Sequence, residues 1–456
     1  MRTASHLLAS DVGRQPPGPH GVPWFGSYFS VLSDPIRLFC DGRDRYGDIV
    51  RYRFGPFRFV VVNDPDAIQH LFVKNHRNYT KSRSYAGLRL VMGNGLVTSE
   101  GEFWRRQRKL SQPAFHRQRL AKLVDKMVEC TNEMLDDWDR RASPEIDVHE
   151  QMMRLTLRIV GHSLFSTELS HDAGELGPAI TIAMRRANKY AEAAVRLPLW
   201  LPTPLNLRFA KARGLLDATI QRIIDERRAH GRDMGDVLSM LMAATDESGE
   251  ERMTDQQLRD EVMTLFLAGH ETIATAMSWT WKLLSEHPEA ATRLREEARS
   301  VLGGSAPTFE SLAKLEYTGR VVDEAMRLYP PVWIFERAAI DDDEIAGFHI
   351  PKQTIVGVCT WALHRHPALW NDPQRFDPDR FLPENSADRH KYAYLPFGAG
   401  PRICIGNNFA LMEAKVLLAT MAQRYAIDVP DSHAIGYDPG VTLRPAPNMP
   451  ARLRRL

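Results

Sequence analysis

The segment PFGAGPRICIG, residues 396–406, places Cys404 in a loop rich in glycine and proline. Two interpretations of this cysteine are open: a small buried residue near a turn, and a metal ligand. Because free cysteine usually behaves as a small buried hydrophobe, the cysteine taken alone favours a buried thiol. The chain has neither a CxxC nor a CxxCH motif, which argues against a zinc ribbon and against covalent c-type haem. Its cysteines are Cys40, Cys130, Cys359 and Cys404.

A second candidate site lies in TDQQLRDEVMTLFLAGHETIATAMSWTWKLLSEHP, residues 254–288. Thr254 and Gln257 predict a capping box, and Pro288 ends the apolar pattern, so the helix should run for about 32 residues. Its middle, VMTLFLAG, is apolar on every face and is therefore expected to be buried. Charged residues bracket this apolar run too closely for a membrane span.

Small and polar residues interrupt the centre of this predicted helix. Gly269 costs about 1 kcal/mol relative to alanine inside a helix, and close packing of another helix would explain it. Together with Ala268 and the hydroxyl of Thr272, it instead suggests a small gap that could hold a diatomic molecule and a water. Glu271 brings a carboxylate close to the buried face.

Two residue pairs combine charge with helical spacing. Trp104 and Arg108 are four apart, so an indole N–H and a guanidinium fork share one face and could bind a carboxylate. A basic surface helix is the alternative. Glu324 and Arg327 are three apart, and a solvated ion pair is the alternative for them.

Two further arginines stand in apolar surroundings. Arg337 lies in WIFERAAI, and Arg380 lies between aromatic residues in FDPDRF. Isolated arginines in such places usually need anionic partners.

The elements that must position these residues are mostly helical. Apolar spacing predicts helices over 117–141, 149–166, 206–230, 233–245, 255–286, 287–302 and 317–329, and helices recur to about 425. DIVRYRFGPFRFVVVN predicts a hairpin around Gly55, and a second short β region covers about 344–361. With no repeat and no long polar linker, the pattern predicts a mainly α fold with small β-sheets. Residues 1–15 would be an N-terminal tail, and residues 16–456 a single domain.

The bulk composition excludes several classes of function. The 456 residues are 43% hydrophobic and 25% charged, which is ordinary globular composition. A formal net charge of +2 gives no global field for binding nucleic acid. The N-terminal segment has only a short apolar run, too short for a secretory signal or a membrane span. We expect a cytoplasmic protein with reduced thiols, no membrane anchor and no nucleic acid partner.

In order and spacing, these motifs resemble those of the cytochromes P450, the haem-thiolate monooxygenases, from about residue 16 to the C-terminus. PFGAGPRICIG resembles the cysteine-ligand loop, and AGHET the oxygen-activating part of the central helix. Trp104-x-x-x-Arg108 resembles the propionate-binding helix, and Glu324-x-x-Arg327 with Arg380 the buried charged triad. The resemblance implies a single-domain cytochrome P450 fold, with haem b between the long central helix and the cysteine loop.

The resemblance also implies roles for individual residues. Cys404 would be the axial thiolate, Thr272 would help to deliver protons to oxygen, Glu271 would relay them, and Ala268 would border the oxygen site. Phe397 would shield the sulfur from water. Glycines in the loop would permit positive φ and close approach to a porphyrin; they are Gly398, Gly400 and Gly406. Residues implied to face the haem propionates are Lys81, Trp104, Arg108, Arg337 and Arg402, and those implied to be structural are Glu324, Arg327 and Arg380.

The implied reaction inserts one atom of O2 into a hydrophobic substrate, by hydroxylation or epoxidation of a fatty acid, terpenoid, steroid or polyketide. The expected substrate-facing residues are mostly apolar: Tyr85, Leu88, Val91, Phe266, Leu267, Val332, Trp333, Ile334 and Val441. Roughly 50 residues follow Cys404, so no flavin or iron–sulfur module fits there. Electrons are therefore expected from a separate ferredoxin (or flavodoxin) and its reductase. The basic run over 101–122 suits an acidic ferredoxin, with a solvated basic helix as the alternative, and a monomer is expected.

Two other functions fit the same motifs. A haem-thiolate peroxygenase or isomerase would use the same scaffold, although Thr272 and Glu271 favour reductive oxygen activation. A non-catalytic haem sensor would usually carry an output domain, for which the sequence shows no linker.

Overall fold

The computed structural model describes residues 13–169, 173–193, 196–244, 252–430 and 434–456. Within these ranges the chain forms two compact units. The sheet unit comprises residues 13–83, 333–373 and 389–403, and the helical unit comprises the other described residues. Most of the predicted tail, residues 1–15, lies outside the described residues, and the single domain over 16–456 stays a prediction.

Helices make up most of the described chain. In chain order they are α1 (Tyr28–Ser33), α2 (Pro35–Tyr46), α3 (Pro65–Gln69), α4 (Tyr85–Met92), α5 (Gly101–Ser111), α6 (Arg117–Ala121), α7 (Val124–Asp139), α8 (Val148–Phe165), α9 (Ala173–Glu192), α10 (Pro204–His230), α11 (Val237–Ala243), α12 (Asp255–Glu286), α13 (Pro288–Leu302), α14 (Glu316–Leu328), α15 (Thr360–Leu363), α16 (Pro383–Ser386) and α17 (Asn407–Arg424). Helices α1 to α3 and α15 belong to the sheet unit. Among the described residues, no helix is both long and apolar enough to cross a membrane.

The strands are short and form four small sheets. They are β1 (Ile49–Phe54), β2 (Phe57–Val62), β3 (Tyr79–Lys81), β4 (Glu145–Asp147), β5 (Ile334–Ala339), β6 (Asp343–Ile345), β7 (Phe348–Ile350), β8 (Ile355–Cys359), β9 (Tyr425–Asp428), β10 (Gly436–Pro439), β11 (Leu443–Ala446) and β12 (Pro450–Arg455). The sheet orders are β1-β2-β8-β5-β3, β6-β7, β10-β11 and β4-β12-β9. A mainly helical chain with small sheets is the predicted class.

The main sheet of the sheet unit begins with the predicted hairpin. β1 and β2 pair antiparallel, and their turn residue Gly55 has a φ of +59°. Helix α2 covers this hairpin, with the ring of Phe39 stacked 5.7 Å from that of Phe59. At the far edge, β3 and β5 pair antiparallel with Lys81 opposite Arg337. This sheet therefore positions Lys81 and Arg337, two of the residues expected at the haem propionates.

Helix α12 is the centre of the helical unit. It spans the predicted range, and Thr254 and Gln257 form the predicted capping box at its start. Helix α8 packs along it. A Cβ added to Gly269 would lie 3.1 Å from Cγ2 of Val160 on α8. Close helix packing, the alternative that the sequence left open, therefore explains this glycine.

Several segments differ from the predicted elements, among them the following two. The helix expected over 117–141 is two helices, α6 and α7, interrupted at residues 122–123. Helix α9 is not predicted at all, because Gly174, Gly177 and Pro178 near its start are helix breakers. It packs against α4 and α10, and this tertiary packing outweighs local propensity.

A buried ion pair ties α14 to the segment that precedes α16. Glu324 and Arg327 are both 0% exposed, and Nε and Nη2 of Arg327 donate to the carboxylate at 2.6 and 2.7 Å. Arg327 Nη2 also donates to the Arg375 carbonyl at 3.0 Å. The same carboxylate accepts from the Asp377 N–H at 2.9 Å and lies 3.4 Å from Arg380 Nε. The alternative of a solvated pair is therefore wrong.

Replacement of Arg327 by methionine should destabilise the protein strongly. Arg327→Met leaves the Glu324 carboxylate buried without its main counter-charge, which costs about 3–5 kcal/mol of unfolding free energy. Urea-induced unfolding measures this loss. The matched control is Arg154→Met, whose exposed pair with Glu150 on α8 contributes at most about 1 kcal/mol. Similar losses in both variants would contradict a structural role for the buried pair.

Candidate active site

Two glycines shape the first part of the cysteine loop. Gly398 has a φ of +73° and Gly400 a φ of +67°, a region that only glycine adopts without strain. A Cβ on Gly400 would also overlap the carbonyl oxygen of Phe72 in the same unit. The expectation of positive φ is confirmed at these two residues. It is wrong at Gly406, whose φ is −93° and whose added Cβ would meet no atom closer than Phe115, at 3.8 Å.

Cys404 is an exposed thiol held immediately before a helix. Gly406 is the N-cap residue of α17, and its N–H donates to the cysteine sulfur. The surrounding protein raises the pKa of the thiol, while this N–H and the charge of Arg108 act to lower it. The side chain nevertheless stays open to solvent. A cysteine that is open to solvent on one side and accepts a backbone N–H donor is suited to bind a metal.

One turn of α12 differs from the rest of the helix. From residue 260 to residue 284 every residue is buried except Ala268, Gly269 and Thr272, which are partly exposed. These three have small side chains, and the hydroxyl of Thr272 donates to the Ala268 carbonyl at 2.7 Å. A short, partly exposed run of small side chains on a buried helix fits the flat haem group that the resemblance implies.

Glu271 faces away from this turn, toward the C-terminal hairpin β10–β11. Its Oε1 accepts a hydrogen bond from Arg444 Nε at 2.8 Å and another from the hydroxyl of Thr442. Burial would raise the pKa of Glu271, but the charge of Arg444 and the two hydrogen bonds lower it below its usual value. Adjacent helical residues are about 100° apart, so Glu271 and Thr272 point in different directions. The structure joins the predicted relay acid to Arg444, a residue that the sequence did not single out.

Helix α5 carries two of the residues expected at the propionates. Trp104 is buried and Arg108 is half-buried, whereas Arg105 and Lys109 on the same helix are exposed. Burial lowers the pKa of Arg108, and the nearby Cys404 raises it. The helix is therefore two-sided: one face enters the core beside the cysteine, and the other is the solvated basic surface of the alternative interpretation.

The sheet unit holds the remaining expected propionate contacts. Lys81 and Arg337 are direct cross-strand neighbours, and like charges opposite each other destabilise a strand pair. Arg337 is buried, donates to its neighbour's carbonyl at 2.8 Å and lies 5.3 Å over the ring of Phe72. Arg402 and Phe397 are half-buried. Two adjacent cations would suit an anionic group.

The residues expected to face substrate are spread over several elements. In the helical unit, Val91 on α4 is fully buried, and the ring of Phe266 lies 6.5 Å from that of Phe165 on α8, which is a core contact. In the sheet unit, Trp333 stacks on Phe39 at 6.4 Å. Leu267 is buried, while the residues that are half-buried are Tyr85, Leu88, Val332, Ile334 and Val441. Their roles as pocket residues stay predictions.

Comparison with known proteins agrees with the predicted family. The cytochrome P450 family model matches residues 16–450. The chain is 38% identical to cyclooctatin synthase of Streptomyces melanosporofaciens, over 98% of this chain and 96% of that protein. It is 35% identical to pentalenene oxygenase of Streptomyces avermitilis, over 91% of this chain and 92% of that protein. It is 33% identical to cyclooctat-9-en-7-ol 5-monooxygenase of Streptomyces melanosporofaciens, over 90% and 88%.

Solved structures agree with the predicted fold. The haem domain of cytochrome P450DA matches with a TM-score of 0.88 and 28% identity, covering 98% of each chain. A retinoic acid-bound cyanobacterial CYP120A1 matches with a TM-score of 0.87 and 29% identity, covering 98% of this chain and 100% of that one. The predicted fold class is confirmed.

Removal of the Arg444 charge should make the stability of the protein depend on pH through the ionisation of Glu271. In the wild type, the lowered pKa of Glu271 stabilises the folded protein above about pH 4.5. This stabilisation is lost only as the pH falls through the pKa of Glu271 in the folded state. In Arg444→Met, burial raises the pKa of the unpaired carboxyl, so stability falls as pH rises above about 4.5. The free energy of unfolding of Arg444→Met should therefore be lower than that of the wild type by about 3 kcal/mol at alkaline pH, and by less at about pH 5.

Urea unfolding of wild type and variant at the two pH values measures this difference. Arg444→Lys is the control, because it keeps the positive charge and should flatten the pH dependence. An equal loss at both pH values would contradict the assignment of Arg444 as the counter-ion.

Proposed function

Since this chain belongs to the cytochrome P450 family and is a haem-thiolate monooxygenase, we propose that Cys404 is its axial ligand and that it oxidises a terpenoid. One observation carries the ligand assignment. Cys404 is an exposed thiol with a backbone N–H donor, in the same unit as the partly exposed turn of α12. The other cysteines are buried or half-buried, and they are Cys40, Cys130 and Cys359.

The bound haem supplies the redox chemistry of the net reaction, RH + O2 + 2e⁻ + 2H⁺ → ROH + H2O. The chain supplies the surroundings. The N–H of Gly406 offsets part of the charge on sulfur, and a hydrogen bond to a charged group contributes about 1.5–3 kcal/mol. Trp104 and Arg108 each offer N–H donors that suit a propionate carboxylate.

We assign the delivery of protons for the reaction to the turn of α12 that is open to solvent. The hydroxyl of Thr272 now donates to the Ala268 carbonyl, and rotation about χ1 would redirect it. Ala268 leaves space beside it because its side chain is a single methyl group. As the relay acid, Glu271 has to exchange its bonds to Arg444 and Thr442 for a path toward Thr272.

The terpenoid assignment rests on the relatives together with the apolar pocket residues. Three relatives with 33–38% identity are named cyclooctatin synthase, cyclooctat-9-en-7-ol 5-monooxygenase and pentalenene oxygenase. The residues expected to face substrate are mostly apolar, which suits a hydrocarbon skeleton. Among the substrates that the sequence left open, we therefore choose a cyclic terpenoid over a fatty acid, steroid or polyketide.

Electrons are assigned to a separate ferredoxin (or flavodoxin) with its reductase. The surface that would meet an acidic partner is the exposed basic side of the 101–122 region. Its exposed cations are Arg105, Lys109, Arg119 and Lys122. Electrostatic attraction between such a surface and an acidic protein speeds association. The cytoplasmic location and the monomeric state stay predictions.

A binding screen tests the terpenoid assignment. The iron spin-state shift is titrated with cyclic sesquiterpenes and diterpenes, as hydrocarbons and alcohols, and with fatty acids of equal carbon number. The best terpenoid should bind at least about tenfold more tightly than the matched fatty acid, a difference of about 1.4 kcal/mol. Turnover with NADPH, a ferredoxin and its reductase should then give an oxygenated product. Tighter binding of the fatty acids would refute the assignment.

Replacement of Thr272 tests its role in proton delivery. Thr272→Ala should keep the haem content and the carbon monoxide spectrum, while product per NADPH falls by about tenfold or more and hydrogen peroxide rises. The control is Thr275→Ala, which removes a fully buried hydroxyl from the same helix. Equal product per NADPH in wild type and Thr272→Ala would rule out this role.

A further inference from the structure

Two adjacent buried acids of α12 hold the loop that follows α4. The N–H of Asn94 donates to Oδ2 of Asp260 at 2.7 Å, and the N–H of Leu96 donates to Oε2 of Glu261 at 3.0 Å. Asp260 is 5% exposed and Glu261 is 1% exposed. The loop over residues 93–98, called here the 93–98 loop, is therefore bound to the helix through its own backbone.

Glycines let this loop lie directly on α12. A Cβ on Gly95 would overlap the hydroxyl of Thr264 and lie 2.6 Å from the Asp260 carbonyl oxygen. Gly93 has a φ of +62°, and a Cβ there would overlap the Asp260 carboxylate. The motif MGNGL thus encodes close approach of a loop to a helix.

The 93–98 loop is also tied back to α4. The hydroxyl of Thr98 donates to the Gly93 carbonyl at 2.7 Å, and Nη2 of Arg89 donates to the Thr98 carbonyl at 2.7 Å. Any displacement of the loop on α12 is therefore transmitted to the C-terminal end of α4. Three of the residues expected to face substrate lie on this helix: Tyr85, Leu88 and Val91.

The two acids have different surroundings. Asp260 also accepts from Arg259 Nη1 at 2.9 Å and from Gln256 Nε2 at 2.8 Å. Within the described ranges Glu261 forms no ion pair, and burial raises its pKa to about 8, with the charge of Asp260 adding to the rise. A neutral carboxyl can still accept from Leu96 through its carbonyl oxygen.

We propose that Asp260 and Glu261 are positioning residues that fix the 93–98 loop and α4, and so determine the size of ligand that the substrate pocket accepts. The inference rests on the proposed pocket role of α4. Asp260 and Glu261 would contact neither haem nor substrate, but they would determine the position of the pocket wall. Because Glu261 acts as a neutral hydrogen-bond acceptor, a glutamine at this position should keep the loop in place, whereas a leucine should not.

Iron-binding azoles of different size test the proposal without knowledge of the substrate. Imidazole and clotrimazole both bind the iron through nitrogen, so only the clotrimazole Kd reports the pocket wall. In Glu261→Leu the clotrimazole Kd should change by about fivefold, the equivalent of one lost hydrogen bond, while the imidazole Kd stays within about twofold. Glu261→Gln should match the wild type for both azoles.

Amide hydrogen exchange of the 93–98 loop in the azole-free holoenzyme provides a second measurement. Exchange should speed up in Glu261→Leu and return to the wild-type rate in Glu261→Gln. Gly95→Ala should push the loop off Thr264 and off the Asp260 backbone carbonyl while both acid side chains are retained. It should reproduce both effects, and it replaces Glu261→Leu if that variant does not fold.

Three results would overturn the proposal. The first is an unchanged rate of amide exchange in Glu261→Leu and Gly95→Ala. The second is an equal effect of Glu261→Leu and Glu261→Gln. The third is an equal change in Kd for imidazole and clotrimazole. A wild type that lacks the thiolate carbon monoxide band would instead refute the assignment of Cys404, which is a separate failure.

Discussion

The near-complete burial of α12 is the constraint on which the helical unit depends. A helix can be buried on all sides because its backbone groups bond one another, but each polar side chain that it carries must then find a partner. Helix α8 packs so closely that a Cβ on Gly269 would lie only 3.1 Å from Val160. The partly exposed turn of Ala268, Gly269 and Thr272 interrupts this burial. The proposed chemistry is confined to the one part of residues 260–284 that the core does not cover.

The same constraint explains why two buried acids of α12 have different partners and opposite pKa shifts. Removing a carboxylate from water is costly unless a counter-charge and hydrogen bonds offset the loss. Glu271 has Arg444 and Thr442, and its pKa is lowered. Glu261 has a backbone N–H and an acidic neighbour, and its pKa rises to about 8. One acid is thus suited to hold a charge, and the other to hold a position without one.

Local signals predicted much of this arrangement, and long-range contacts limited the rest. The capping box and Pro288 marked both ends of α12, since helix ends are encoded by neighbouring residues. The bond between Glu271 and Arg444 joins residues 173 apart, and no spacing rule reaches across that distance. Helix α9 was missed for a related reason, because its packing overrides its own glycines and proline. The prediction of positive φ at Gly406 is wrong, since its φ is −93°.

The two acids also suggest how one chemistry can serve different substrates. Glu261 and Glu271 are ten residues apart on α12, or about 15 Å, on either side of Ala268. One binds the loop behind α4, and the other binds the hairpin whose turn carries Val441. Two of the elements expected to contact substrate, α4 and the β10–β11 turn, are thus attached to α12 through side-chain hydrogen bonds. Changes in these attachments would move the pocket walls while the small residues of the central turn stay in place.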